Sequence, residues 1–185
     1  MVLSQLVHHN SIIMNKEDIL KRFPNMVVPK GINKDQFIDY ALERLKDYEK
    51  IHAELGKESD RGCILLGVSY IDSLLEKLLK SKLYGSNKHL KKLFESYGPL
   101  STFSSKIGIA YSLQLIHQTD FDNIEILRTI RNKFGHSFDI FNFGDIAVSS
   151  LIGKIVIDGP TDISNRDKVI DVIALTCGRL EYQIL

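Results

Sequence analysis

The stretch "ESDRGCILLGVSYIDSLLEKLL", residues 58–79, decides the fold. Ile64, Val68, Ile71, Leu75 and Leu78 recur at steps of three and four, the spacing of one helix face. Leu74, Leu79 and Leu83 widen that row, while Ser69, Asp72, Ser73, Glu76 and Lys80 lie opposite or at its edge. A helix with so broad an apolar surface needs neighbours on several sides. The pattern therefore predicts the central helix of a bundle over residues 58–84.

The sequence on either side supports the same class. Upstream, Asn33 suits an N-cap for a helix over 34–56, with Ile38, Leu42, Leu45, Tyr48, His52 and Leu55 on one stripe. Residues 4–22 read as a weakly amphipathic first helix. Pro24, Pro29 and Gly31 in "FPNMVVPKG" turn the following stretch into a linker. Downstream, "YGSNKH" breaks the central helix and a short helix is expected at 87–95. A Gly-Pro turn then leads to a helix capped by Ser101 or Thr102 and carrying Ile107, Ala110, Tyr111 and Leu115. Leu127, Ile130, Phe134, Phe138 and Phe141 mark a long helix over 120–142. "GKIVIDGPTDIS" is the least helical part, with Ile155, Val156 and Ile157 as a short strand or extended segment. Ser164 followed by Asp167 reads as a variant capping box for a last helix over 165–183. The expected fold is all-α, a compact helical bundle over 33–185 with an N-terminal helical arm and linker over 1–32.

The 185 residues suit one domain, and 44% apolar with 25% charged residues is ordinary for a globular protein. The net charge of +1 offers no global attraction to a polyanion. No apolar run approaches the length of a membrane span. The N-terminus lacks the basic region, apolar core and cleavage site of a signal peptide. Cys63 and Cys177 match no metal spacing and read as reduced, buried thiols of a cytoplasmic protein. The six histidines show no pair at ligand spacing with a third donor, so neither a metal nor another cofactor is expected.

Three segments together, "ESDRGCILLGVSYIDSLLEKLL" (58–79), "FESYGPLSTFSSKIGIAYSLQLI" (94–116) and "IEILRTIRNKFGHSFDIFNFGD" (124–145), closely resemble the mannitol operon repressor family, MltR-like. The resemblance covers residues 40–150. It implies a compact all-helical domain and transcription regulation, as a repressor of a sugar-alcohol uptake operon or a related one. It supplies no recognised DNA-binding element, so action through a protein partner or a homodimer surface is the expectation. The third segment also resembles the shorter HEPN signature of an Arg, a polar residue and a later His, here Arg131, Asn132 and His136. That resemblance implies dimerisation and an alternative function, metal-independent RNA cleavage or RNA binding.

The residue types suit the chemistry, since His moves protons near neutral pH and Arg holds phosphate. Helical geometry divides them. Arg131 lies about 40° from the centre of the apolar stripe and His136 about 180° from it. His136 shares its row with Arg128, Asn132 and Asp139. The two converge only if Gly135 distorts the helix or a second subunit closes the gap, so a non-enzymatic protein is the preferred reading. A charge beside an apolar face needs a partner. Asp60 or Glu58 is the first candidate for Arg131 and Asp72 the second, and Arg61 adjoins them in the same polar cluster. Lys80, Lys82, Lys88, Lys91 and Lys92, with Lys77 and His89, form a run without an acid. It reads either as a solvated helix end or as a nucleic-acid patch.

Overall fold

The computed structural model describes residues 16–17, 31, 33–136, 142–157 and 162–184. Among them the chain forms seven helices and no strand. They are α1 (Lys34–Gly56), α2 (Asp60–Lys82), α3 (Asn87–Phe94), α4 (Phe103–Ser112), α5 (Gln118–His136), α6 (Ile146–Ile152) and α7 (Asn165–Ile184). Most of the expected 1–32 arm lies outside the described residues. Lys16 is an exception and pairs with Asp35 of α1 at 3.0 Å.

Polar caps set the helix starts. Asn33 accepts from the Asp35 N–H at 2.8 Å, and Ser59 accepts from the Gly62 N–H at 3.1 Å. Thr102 does the same for Ser105 at 3.1 Å. At α7, Ser164 accepts from the Asp167 N–H at 3.1 Å and returns its hydroxyl to the Asp167 carboxylate at 2.6 Å. This is the anticipated capping box, closed through the hydroxyl rather than the backbone.

α2 is the axis of the bundle and contacts α1, α4, α5 and α7. Its row Ile64, Ile71, Leu75 and Leu78 is fully buried. α7 lies parallel beside it, from Asp60 against Arg166 to Tyr70 against Glu181. Gly67 sets the approach distance, because a Cβ there would stand 2.6 Å from Ile173 Cδ1. α1 runs antiparallel to α7, from Tyr40 against Tyr182 to Gly56 against Arg166. α5 buries Ile124, Leu127, Ile130 and Phe134 against the same core. Phe134 meets Phe143 edge-on, with ring centroids 5.8 Å apart.

One helix differs from the sequence expectation. α6 lies in a stretch for which no helix is expected, since "IAVSSLI" is short and rich in poor helix formers. Asp145 caps it, and buried Val148 and Ile152 fix it to the core. Tertiary packing overrides local propensity there. Residues 155–157, read from the sequence as a short strand or an extended segment, form no strand and pair with none. The buried Asn123 side chain takes that role, donating to Val156 O at 2.7 Å and accepting from Val156 N at 3.0 Å. The expected stripe residues Phe138 and Phe141 lie outside the described residues. No helix among the described residues is long and apolar enough to cross a membrane.

Candidate functional site

α1 and α2 both pack on α7 and leave a groove between them. It has a volume of about 360 Å³ and is lined by Ile51, Leu55, Leu66, Gly67, Tyr70 and Ile173, with Asp47, Lys50, Glu54 and Glu181 also in its lining. Leu66 is 51% exposed although it sits on the central helix. The Tyr70 hydroxyl donates to Glu181 at 2.6 Å, which ties α2 to α7. Burial and then the Glu181 carboxylate push the Tyr70 phenol pKa upward, so it remains a neutral donor. An apolar floor beneath charged side chains, with an exposed leucine at its lip, suits a protein contact better than catalysis.

Three polar clusters tie these helices to one another and to α4. The first sits at the α1–α2 corner. Arg166 donates to the Asp60 carboxylate, to Glu58 O, to Leu55 O at 3.2 Å and to Gly56 O at 3.1 Å. One guanidinium thus caps the carbonyl end of α1 while neutralising the first acid of α2. Asp60 also accepts from the Phe143 N–H at 2.7 Å, and Asn165 donates to Phe143 O at 2.7 Å.

The second cluster centres on Lys106 of α4, which is 4% exposed. Its ammonium lies 2.7 Å from Asp72 Oδ1 and 3.0 Å from Glu76 Oε2. Burial acts to lower the Lys106 pKa, but the Asp72 and Glu76 carboxylates outweigh it and the net shift is upward. Burial likewise acts to raise the Glu76 pKa, and Lys80 and Lys106 reverse it to a net lowering. In the third cluster the Tyr48 hydroxyl donates to buried Asp171, with His52 Nε2 3.7 Å from the same carboxylate. Burial, then Asp171, drives the Tyr48 pKa upward.

No protein-family model matches the chain, and no curated protein does. Its fold is similar to that of a chain in the X-ray structure of the MtlR–HPr complex from Escherichia coli. The TM-score is 0.56 at 16% identity, over 75% of this chain and 98% of that one. At this identity the likeness is one of fold: an all-helical bundle like one solved together with a protein partner.

The sequence-predicted site residues fall in different places. Arg131 does not enter the core. It is exposed, and its Nη1 donates to Asn132 Oδ1 at 3.2 Å. The carboxylates expected to receive it bind other cations, Asp60 with Arg166 and Asp72 with Lys106. An offset of about 40° puts Arg131 at the edge of the stripe, and its long stem carries the charge to water. Glu58 is exposed and takes part in the corner through its backbone oxygen, while Arg61 is half-buried beside it. His136 is exposed at the end of α5. The helix runs through Gly135 to His136 unbroken, so Arg131 and His136 stay about 140° apart within one chain. Asp139 lies outside the described residues. Among the described residues no group of His, Cys, Asp and Glu is arranged to hold a metal ion.

Lys106, Arg166 and Asn123 escaped the sequence reading. Lys106 had a signal: it falls on the inward row of Phe103, Ile107 and Ala110, opposite two acids four residues apart on α2. Arg166 had a weaker one, as a cation in a first helical turn, where the dipole disfavours it. Asn123 had none beyond its place on the inward row with Ile124 and Leu127.

Proposed function

We propose that this chain is an MltR-like regulator that acts by binding a protein partner. On this reading residues 33–185 form the regulatory domain, residues 1–32 are an appended arm, and the protein works in the cytoplasm on a sugar-alcohol uptake operon or a related one. The observation that carries the reading is the fold likeness, which spans 98% of a chain solved in complex with HPr. The sequence resemblance over residues 40–150 points the same way, although no family model matches the chain. HPr is therefore the first partner to test, and the α1–α2–α7 groove with Leu66 at its lip is the assigned docking surface.

Isothermal titration of the purified chain with HPr tests this. Saturable binding is expected, with Leu66→Glu weakening it at least about tenfold, roughly 1.4 kcal/mol, and leaving the circular dichroism unchanged. Absence of heat up to about 1 mM HPr overturns the partner assignment. Tight, sequence-specific DNA binding by the chain alone would overturn the mode of action.

A further inference from the structure

The net charge of +1 conceals a strong segregation. Six of the 24 Lys and Arg residues, and none of the 23 Asp and Glu residues, lie between Lys77 and Phe94. That segment is therefore +6 and the rest of the chain −5. It folds as the last turns of α2, a short connection and α3, at one end of the bundle.

The structure sorts these lysines. Lys80 is engaged, 2.7 Å from Glu76 and over the Phe94 ring at 5.1 Å. Lys91 lies 3.4 Å from Glu95. Lys77, Lys82, Lys88 and Lys92 are exposed and extend into solvent. On α3, Lys88, Lys91 and Lys92 share one face by their i, i+3, i+4 spacing. Leu93 and Phe94 turn the other way and pack on the core.

Two tyrosines bracket this surface. Tyr84, before α3, is 101% exposed, and Tyr97, after it, is 103% exposed. Ser96 beside Tyr97 adopts φ 45, in the left-handed region, where a serine is strained. Folding normally buries part of a tyrosine ring, so two fully bare rings flanking one basic helix are unusual. The helix between them has eight residues and is about 12 Å long, comparable to a few nucleotides of a single strand.

We propose that the α2–α3 end binds single-stranded nucleic acid, with phosphates on Lys77, Lys82, Lys88 and Lys92 and bases stacked on Tyr84 and Tyr97. Lysines alone would suit any polyanion. The bare rings favour a single strand, because its bases have free faces and those of a duplex are already stacked. An acidic protein would need the lysines and leave the rings without a role.

Fluorescence anisotropy with a labelled oligo-dT or oligo-U of about 12 nucleotides tests this. The matching duplex and a poly-glutamate peptide serve as competitors. Single strands should bind, with a log–log salt slope of about −3 for four neutralised phosphates. Lys88→Gln/Lys92→Gln should weaken binding and reduce the slope. Tyr84→Ala/Tyr97→Ala should weaken binding about tenfold or more while leaving the slope unchanged, since no charge is removed. All these positions are exposed, and circular dichroism confirms that the variants fold. Equal binding by the tyrosine variant reduces the surface to a generic cation patch and overturns the proposal. So does tighter binding of duplex or poly-glutamate, or no binding at low salt.

Discussion

The buried Lys106 makes an asymmetric stability prediction. Its side chain is 5% exposed, whereas Asp72 and Glu76 are 34% and 31% exposed. Lys106→Met keeps most of the stem and removes the charge. The two carboxylates then lose one contact with the ammonium each, nominally about 1.5–3 kcal/mol. Glu76 keeps Lys80 and both side chains stay about one-third exposed, which recovers part of it, while Asp72 Oδ1 itself is buried. The expected cost is about 2 kcal/mol. Asp72→Ala/Glu76→Ala does the reverse and strands an ammonium that cannot reach water, at about 3–5 kcal/mol. The triple variant leaves no charge buried and should return to about the level of Lys106→Met. Urea unfolding followed by far-UV circular dichroism measures all three, since the chain has no Trp to serve as a fluorophore. The pH profile adds a check on sign. Glu76 has a lowered pKa, so its contribution is present above the ordinary carboxylate value and lost as pH falls through the depressed one. Lys106 has a raised pKa, so its contribution is present below the ordinary lysine value and lost as pH climbs past the raised one. The gap between wild type and Lys106→Met should be widest near neutrality and close at both extremes. If Lys106→Met costs as much as the double alanine variant, or the triple is no better than the double, burial of the cation does not set the energetics.

Three further outcomes follow from the packing. Asn123→Ala removes both bonds to Val156 and should cost about 1–2 kcal/mol, with hydrogen exchange accelerated at the Val156 amide and little changed in α2. Gly98→Ala drives a Cβ into the backbone oxygens of Lys92 and Leu93, which cannot swing aside; a thermal melt should show a loss of about 2–4 kcal/mol. Burial pushes the Cys63 thiol up to about 11, so alkylation of the native protein should be slow and become fast once urea opens the core.

The fold was largely legible because its signals are local and repetitive. The α2 row is long enough to define one buried face, and Asn33, Thr102 and Ser164 announce helix starts with their own side chains. α6 was not legible, because seven residues of indifferent propensity become helical only when Val148 and Ile152 find the core. The candidate site was less visible. Periodicity places Arg131 near a face but does not say whether a long side chain turns in or out. Asp60 was expected to receive Arg131, whereas its cation is Arg166, 106 positions away, a pairing fixed by the parallel packing of α7 on α2. The groove itself is lined jointly by α1, α2 and α7, a relation between three helices that no single stretch encodes.

The central claim is that this bundle works by holding a protein partner in the α1–α2–α7 groove. Titration calorimetry with HPr, run in parallel on wild type and Leu66→Glu, tests it most directly. The account predicts saturable binding to the wild type and a loss of at least about tenfold in the variant. Equal affinity for the two proteins would contradict the assigned surface, and absence of binding to wild type would contradict HPr as the partner.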